Sequence, residues 1–228
     1  MIKNAIALIP AFNEEKNIKD VIARSRPFFP EILVSDDGST DDTVALAEKS
    51  GAVVVMHTVN LGKGAAIKTG MEYILKNRPS VKYIVIIDAD LQLDPEDSPR
   101  MVEPLVQGKA DVVMGARDFS SVPFRHRLGN FVWKTSFNLL FGTRLSDTNC
   151  GFVALSRRAA EKIGSFHGGY IIESHLLAEA VKNGLEIRQV PVRVSYGRVS
   201  AVRRGIRMVA GVLFFILFEG VKYRLRFK

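Results

Sequence analysis

The sequence contains little of what stabilises secreted proteins or anchors membrane proteins. Its single cysteine, Cys150, excludes a disulfide within the chain and fits a reducing compartment. This cysteine has no basic partner nearby in the sequence, and we interpret it as a packing residue. The apolar run Met208–Phe218 has only eleven residues, whereas a membrane-spanning helix needs roughly 20. The N-terminus is not typical of a signal peptide, because its apolar run is short and acidic residues follow directly. We therefore expect a cytoplasmic protein.

Several common site motifs are also absent. No Gly-x-x-x-x-Gly-Lys-Ser/Thr segment is present, which excludes a Walker A phosphate loop. The glycines of Leu61–Ala66 do not form a dinucleotide fingerprint, because Ile67 occupies the position of the third glycine. The four histidines show no metal-ligand spacing. Any phosphate or metal site must therefore be built in another way.

The order of predicted elements indicates an α/β protein. Strands are predicted at Ala5–Ile9, Ile32–Ser35, Val53–His57, Tyr83–Asp88, Asp111–Gly115 and Ile187–Val194. Helices are predicted at Glu15–Arg24, Asp42–Lys49, Gly64–Lys76, Pro95–Gln107, Leu128–Phe141, Ala159–Ile163 and Ser174–Lys182. This alternation predicts a mostly parallel central sheet with helices on both faces. The apolar fraction of 47% is sufficient for one sizeable domain.

The most informative stretch is Ile84–Pro95, in which an apolar strand is followed by three carboxylates and a carboxamide. Alternation along an extended chain would point Asp88, Asp90 and Gln92 to one side. Such oxygen ligands suit Mg²⁺ or Mn²⁺ carrying a diphosphate, and open α/β sheets bind ligands beyond the carboxyl ends of their strands. The alternative is that Asp94 caps a helix and the other acids are solvated.

Other polar segments follow the predicted strands at Pro10–Glu15, Ser35–Asp42, Leu61–Ala66 and Gly115–Asp118. The glycines of the third segment let backbone N–H groups approach a phosphate, and Lys63 adds positive charge. Asp36 and Asp37 are suited to hydrogen-bond a ribose or a base, although turn formation alone also explains them. Arg117 either grips a phosphate or pairs with Asp118 on the surface.

The second half of the chain adds four candidate residues. Asp147 lies in the polar segment Asp147–Phe152, between two helical segments, and is either a site acid or a turn residue. Glu173 follows an apolar run and is either a buried functional carboxylate or an acid in the first turn of a helix. Arg125 and Arg127 precede the aromatic helix, where the helix dipole disfavours positive charge, which slightly favours a functional purpose.

The net charge of +8 suggests an anionic partner, namely nucleic acid, a membrane surface or a phosphorylated substrate. Residues 197–228 contain eight basic side chains against Glu219 alone and carry +7 of this charge, which argues against a surface that coats nucleic acid. Basic residues bracket Met208–Phe218, which predicts a helix in the membrane interface, with core packing or an oligomer contact as the alternative. We divide the chain into a domain over 1–200 and a C-terminal segment over 201–228.

Taken together and in order, these segments resemble the family-2 glycosyltransferases with the GT-A fold, over roughly residues 4–196. The resemblance is carried by PAFNEE (10–15), DDGSTDDT (36–43), NLGKGAAIKTG (60–70), DADLQLDP (88–95), GARD (115–118), DTNCGF (147–152) and VPV (190–192). Within the family, the chain is similar to synthases that load a sugar onto dolichyl or undecaprenyl phosphate. The dolichyl-phosphate glucosyltransferases and mannose synthases are most similar.

The resemblance implies a role for each matched residue. The donor nucleotide-sugar would be bound by Pro10, Ala11, Asn13, Glu14, Asp37, Lys63, Asp88 and Asp90. The metal, Mg²⁺ or Mn²⁺, would be bound by Asp88, Asp90 and Gln92. Catalytic stabilisation of the charged phosphates would come from Asp90, Arg117, Arg125 and Arg127. Candidate residues on the acceptor side are Asp147, Glu173, Arg198 and Arg203.

The implied reaction is an inverting transfer of a hexose from UDP-glucose or GDP-mannose to a polyprenyl phosphate. The acceptor phosphate is already largely ionised at neutral pH, so no general base is required. The expected protein is peripheral on the cytoplasmic face of a membrane, has no nucleic-acid partner and leaves its oligomeric state open. Three alternatives are a transferase to a glycan or protein hydroxyl with Asp147 or Glu173 as base, a sugar-phosphate nucleotidyltransferase, and a non-catalytic membrane-associated adaptor.

Overall fold

The computed structural model describes residues 1–118, 124–164, 172–195 and 205–226 and contains a central sheet between helices. The strands are β1 (Ala5–Ala11), β2 (Glu31–Asp36), β3 (Val53–Met56), β4 (Tyr83–Ile86), β5 (Val112–Arg117), β6 (Val153–Ser156) and β7 (Ile187–Val192). The helices are α1 (Ile18–Ser25), α2 (Thr43–Lys49), α3 (Lys63–Asn77), α4 (Ser98–Val106), α5 (Phe124–Phe141), α6 (Arg157–Ile163), α7 (Ile172–Lys182) and α8 (Gly205–Arg226).

Within the described residues, the sheet has seven strands in the order β3-β2-β1-β4-β6-β5-β7. Strand β6 runs antiparallel to β4 and β5, whereas the other neighbouring strands pair in parallel. The expected α/β class with a mostly parallel sheet is confirmed. The segment Asp147–Phe152 lies between two helices as expected, but the sequence analysis did not predict β6, which follows the segment and precedes α6. This four-residue strand is too short to show a period in the sequence.

The strand order reverses direction beside β1, which lies between β2 and β4. Ala11 at the end of β1 is paired with Asp36 at the end of β2, and Leu8 is paired with Ile86 at the end of β4. Three parallel strands therefore end at the same edge of the sheet. In open α/β sheets, a crevice suited to ligand binding forms at such a point.

Helix α3 packs unusually close to β1. A Cβ atom built on Gly70 would lie 2.3 Å from Cδ1 of Leu8, so only glycine allows this approach. Leu8 is fully buried, as are Ile6 and Ile9 in the same strand. The close contact fixes α3, and hence its first residue at the sheet edge, relative to β1.

Beyond β4 the chain departs from the predicted geometry. The strand ends at Ile86, and the backbone turns at Ala89 and Asp90, with Leu91 in the left-handed region at φ 59°. The predicted alternation along an extended chain is therefore wrong. The Asp94 side chain accepts a hydrogen bond from Glu96 N at 3.0 Å and caps a 3₁₀ turn that leads into α4.

Helix α8 is longer than the apolar run from which it was predicted, and one of its faces packs on the protein. Ile216 is fully buried, and Gly220 contacts the Leu140 side chain of α5. Tyr223 lies 5.5 Å from Phe141 of α5, measured between ring centroids. Across the described ranges, we find no helix with the length and apolar character needed to span a bilayer.

Candidate active site

An open cleft of about 630 Å³ lies at the sheet edge where β1, β2 and β4 end. Its lining includes predicted site residues, namely Pro10, Ala11, Glu14, Asp37, Lys63, Asp88, Asp90 and Glu173. Gly62, from the glycine-bearing segment predicted to approach a phosphate, lines the cleft as well. The lining also includes residues to which the sequence analysis assigned no individual role, namely Phe12, Asn60, Leu61, Ala66, Ala89 and Ile172. The fold thus brings together residues that are up to 163 positions apart in the sequence, from Pro10 to Glu173.

Asp37 organises the loop that leads into α3. Its buried carboxylate accepts hydrogen bonds from the backbone N–H of Leu61 at 2.9 Å and of Gly62 at 2.7 Å. His57 contacts the same carboxylate through Nδ1 at 2.9 Å and Thr69 Oγ1 through Nε2 at 2.8 Å. Asp37 therefore shapes the wall of the cleft through this loop. The sequence analysis assigned no site role to His57, which it placed as the last residue of the predicted strand Val53–His57.

Asn13 connects the loops that follow β1 and β2. Its side-chain Oδ1 accepts from Thr40 N at 2.9 Å, and its backbone N–H donates to Ser39 Oγ at 2.9 Å. The next backbone N–H, of Glu14, donates to Thr43 Oγ1 at 2.8 Å. The amide of Asn13 thus holds the rim of the cleft together, while the Glu14 side chain lines it.

Asp88 and Asp90 both line the cleft, although a turn places them there rather than the predicted extended chain. Because the chain turns between them, Asp90 Oδ1 accepts a hydrogen bond from the backbone N–H of Gln92 at 3.0 Å. The side chain of Gln92 is exposed, and its backbone carbonyl accepts from Ser195 N at 2.8 Å. Gln92 is not part of the cleft lining, and its metal-binding role stays a prediction.

The acidic groups of the cleft repel one another. Burial raises the pKa of Asp90, and the charge of Asp88 adds to the rise. Burial also raises the pKa of Glu14, with further contributions from the charges of Asp90 and Asp88, although the hydrogen bond from Asn17 opposes them. A cation bound between these carboxylates would offset this repulsion.

The donor set fits a divalent cation that arrives with its substrate. Mg²⁺ is usually held by one or two carboxylates together with substrate phosphates rather than by an all-protein cage. Asp88 and Asp90 supply two carboxylates in an open cleft. Within residues 1–118, 124–164, 172–195 and 205–226, no group of three or more histidine, cysteine or acidic side chains is arranged to hold a metal.

Lys63 is the positive group of the cleft lining. Its ammonium lies 2.7 Å from Asp88 Oδ1 and 2.8 Å from Glu173 Oε1, so it bridges the end of β4 and the first turn of α7. Burial alone would lower the pKa of Lys63, but the charges of Asp88 and Glu173 outweigh this effect and raise it. The lysine predicted to lie near the nucleotide is therefore fully charged and held by two carboxylates.

Gly151 lies beside the Asp88 carboxylate, although the two residues are distant in the sequence. A Cβ atom at this position would lie 2.1 Å from Asp88 Oδ2 and 2.8 Å from its Cγ. Only glycine leaves the Asp88 carboxylate its present place. The sequence analysis named the segment that contains Gly151 but did not connect it with Asp88.

Arg117 and Asp147 are bound to each other. Arg117, the last residue of β5 rather than part of a following loop, donates from Nε at 2.7 Å and from Nη2 at 3.0 Å to the two Asp147 oxygens. Asp147 is fully buried, and its Oδ1 also accepts from Asn149 N at 3.0 Å. Neither Arg117 nor Asp147 lines the cleft, and their predicted catalytic and acceptor roles stay predictions.

Four predicted arginines cannot be placed. The side chains of Arg125 and Arg127, at the beginning of α5, lie outside the described residues, and so do Arg198 and Arg203.

The family follows from comparison with known proteins. Residues 6–164 match the model of the family described as glycosyl transferase family 2. The chain belongs to this family. The predicted resemblance and the glycosyltransferase class are thereby confirmed.

Two curated relatives of this family-2 glycosyltransferase are named for lipid-linked acceptors. The UDP-N-acetylglucosamine–dolichyl-phosphate N-acetylglucosaminyltransferase of Methanococcus voltae is 27% identical over 235 residues, covering 92% of this chain and 93% of the relative. The polyprenol monophosphomannose synthase of Mycolicibacterium smegmatis is 28% identical over 239 residues, covering 98% of this chain and 89% of the relative.

A solved structure supports the GT-A architecture. Glucosyl-3-phosphoglycerate synthase from Mycobacterium tuberculosis is 26% identical to this chain, and the two superimpose with a TM-score of 0.78. The superposition covers 96% of this chain and 78% of the synthase. It was crystallised with Mn²⁺, uridine diphosphate and phosphoglyceric acid. That synthase therefore binds a divalent metal together with a nucleotide.

Proposed function

We propose that this glycosyltransferase moves a hexose from a UDP- or GDP-linked donor to a polyprenyl phosphate such as dolichyl phosphate, with Mg²⁺ or Mn²⁺. The observation that carries the proposal is the meeting of Asp88, Asp90 and Lys63 in one cleft beyond the carboxyl ends of β1, β2 and β4. Carboxylates for a metal and an ammonium for phosphates are the groups that an activated diphosphate requires.

The cleft contains complementary places for the parts of a nucleotide-sugar. Phe12 is 43% exposed and lines the cleft, where its ring offers an apolar face for a base. Helix α3 begins at Lys63 after Gly62, which has no side chain to cap the first turn, and a helix N-terminus favours phosphate. Asp88 and Asp90 would bind the metal beside the diphosphate.

The proposed reaction does not require a general base from the protein. An acceptor phosphate monoester has a second pKa near 6 and is largely ionised at neutral pH, so its oxygen attacks the anomeric carbon without a base. When bound, the metal supplies electrostatic stabilisation of the departing diphosphate. Asp88 and Asp90 would hold it, and Lys63 would supply a further positive charge.

The exposed face of α8 supports docking on an anionic lipid bilayer. Its exposed apolar side chains recur at helical spacing, at Phe214, Leu217, Phe218, Val221 and Leu225. Lys222 lies over the Phe218 ring at 3.8 Å, which places its ammonium beside the apolar stripe. An interfacial helix combines such a stripe with basic residues that attract anionic lipids.

Helix α5, which packs against α8, also has exposed apolar side chains. Phe131, Val132 and Leu139 are exposed on it, and Lys134 lies 5.7 Å from the centroid of the Phe131 ring. We therefore propose residues 1–200 as the catalytic domain and 201–228 as the segment that contacts the membrane, on the cytoplasmic face. A lipid-linked acceptor would then meet the cleft at the bilayer surface.

A transfer assay tests the proposal. Purified protein is mixed in detergent with Mn²⁺ or Mg²⁺, dolichyl phosphate and a panel of radiolabelled UDP- and GDP-sugars, and the label is counted in the organic phase. We expect label from one donor in the organic phase, lost on addition of EDTA. Two results would contradict the proposal. In the first, no label enters the organic phase and donors are consumed only when a soluble acceptor is present. In the second, no donor in the panel is consumed at all.

A second candidate function is transfer to a hydroxyl group of a soluble acceptor. It is favoured by the Glu173 carboxylate, which lines the cleft and would serve as the base that a hydroxyl acceptor needs. The solved relative with phosphoglyceric acid is named for such a soluble acceptor. Metal-dependent label in the aqueous product, with none in the lipid, would favour this function.

A further inference from the structure

Lys63 contacts the Asp88 carboxylate, which is the group that must become available to bind a metal. Its ammonium lies 2.7 Å from Asp88 Oδ1 and 2.8 Å from Glu173 Oε1. The other Asp88 oxygen, Oδ2, faces Gly151, where a Cβ atom would lie only 2.1 Å away. The carboxylate is therefore confined on one side by a glycine and paired on the other with a lysine.

A divalent cation and the Lys63 ammonium compete for the same carboxylate. Mg²⁺ binds carboxylate oxygens at about 2.1 Å, which would bring it within a few ångströms of an ammonium that still contacted Asp88. Two cations at such a separation repel each other strongly in a partly buried cleft. Binding of the metal to Asp88 is thus coupled to weakening of the Lys63 contact.

The fold gives Lys63 an alternative partner within reach. It is the first residue of α3, so its backbone is fixed while its four-carbon side chain remains able to rotate. The first turn of a helix also favours an anion. A diphosphate bound at the N-terminus of α3 would lie near this side chain and would accept the ammonium that Asp88 gives up.

We infer that Lys63 is an exchangeable cation of the cleft, which neutralises Asp88 and Glu173 in the empty site and passes to the donor diphosphate when a divalent metal takes Asp88. The inference rests on the proposed binding of metal and nucleotide. It goes beyond that proposal because one residue acts against the metal before donor binding and for the nucleotide afterwards. Glu173 retains the lysine in the cleft.

Calorimetric titration of the Lys63→Met variant tests the exchange, with Mn²⁺ alone and then with UDP and GDP in the presence of Mn²⁺. Without nucleotide, we expect the Mn²⁺ affinity to rise about tenfold, because the competing ammonium is gone. With Mn²⁺ present, we expect the affinity for the nucleotide that wild type binds to fall about tenfold. The opposite signs distinguish exchange from a fixed ion pair.

Two further variants complete the experiment. Lys68→Met removes a partly exposed lysine of the same helix, whose Nζ lies 3.9 Å from Glu72, and should change neither affinity. Glu173→Gln leaves Lys63 with Asp88 as its carboxylate partner and should therefore weaken Mn²⁺ binding. Glu173→Gln also serves if Lys63→Met does not fold.

The outcomes separate this inference from the proposed function. If wild type binds Mn²⁺ and a nucleotide but Lys63→Met leaves the nucleotide affinity unchanged, or does not raise the Mn²⁺ affinity, the exchange is wrong and the proposed function stands. Tighter Mn²⁺ binding by Glu173→Gln would also overturn the exchange. If wild type binds neither Mn²⁺ nor UDP nor GDP, both the exchange and the proposed function are wrong.

Discussion

At the scale of single residues, Asp88 depends on parts of the chain that are distant in the sequence. Lys63 from α3 contacts its Oδ1, and Gly151 lies beside its Oδ2. Glu173 from α7 reaches it through Lys63. The position of one carboxylate thus reports on whether three separate segments have assembled correctly.

Replacement of Gly151 by alanine should displace Asp88, because the new Cβ would lie 2.1 Å from Oδ2. We expect turnover to fall by about 100-fold, since displacement by an ångström of a residue proposed to bind the metal and the donor would have an effect of that size. Steady-state kinetics and Mn²⁺ titration measure it. Gly211→Ala is the control, because nothing lies within 4 Å of a Cβ at that position. Wild-type turnover and Mn²⁺ affinity in a folded Gly151→Ala protein would contradict the assignment.

Cys150 should be inert in the native protein. It is fully buried, and burial together with the charge of Asp147 raises the pKa of its thiol to about 12. At about pH 8 it therefore stays protonated, whereas an ordinary cysteine with a pKa of about 8.5 reacts readily with thiol reagents. We expect no labelling by Ellman's reagent until denaturant is added, and then one equivalent, from the single cysteine. Rapid labelling of the native protein would show that β6 and its neighbours are packed differently.

The residue types in the sequence predicted which residues line the cleft better than they predicted which side chains pair with each other. The segments after β1, β2 and β4 supplied Glu14, Asp37, Asp88 and Asp90 because polar residues directly after buried strands are visible in the sequence. The pairing of Arg117 with Asp147 was not visible, because it depends on how β5 meets a loop 30 residues further along.

At the scale of elements, the largest error concerns β6. This strand has only four residues, Val153–Ser156, which are too few to show a hydrophobic period in the sequence. It pairs with β4 and β5 in the antiparallel direction. The long helices α3 and α7 were predicted near their observed bounds because their apolar residues repeat at helical spacing. The turn at Ala89–Leu91 was missed, since a left-handed leucine has no signal in composition.

Helix α8 presents two faces, and each corresponds to one of the roles predicted for it. Ile216 and Gly220 pack on the protein, and Lys182 of α7 binds Glu219 at 2.6 Å. The opposite stripe from Phe214 to Leu225 is exposed. Packing on the protein and contact with a bilayer are therefore compatible.

Charge placed on the exposed stripe should weaken membrane binding and leave the fold intact. We expect the double variant Leu217→Glu, Phe218→Glu to bind anionic vesicles at least about tenfold more weakly, because it removes apolar area that enters the interface. Co-sedimentation with vesicles of phosphatidylglycerol and phosphatidylcholine measures this. Val106→Glu, at another exposed apolar residue on α4, is the control. Equal binding by the double variant and wild type would rule out α8 as the contact.

At the scale of the whole molecule, the cleft lies where the strand order changes direction beside β1. The sequence predicted this location, because polar segments follow several parallel strands and such ends meet at one edge. It could not predict which donor or acceptor fits, since that depends on the detailed shape of the cleft. Family membership establishes sugar transfer, and the acceptor is the part of the account that most needs an experiment.

The most direct measurement compares transfer of labelled sugar to dolichyl phosphate by wild type and by Asp90→Asn, with Mn²⁺ and the active donor. The account predicts lipid-linked product from wild type, and at least about 100-fold less from the variant, since a metal bound at the proposed site would stabilise the departing diphosphate by several kcal/mol. Glu72→Gln, which alters an exposed acid on α3, should behave as wild type. Equal transfer by wild type and Asp90→Asn, or no lipid product from wild type with any donor, would contradict the account.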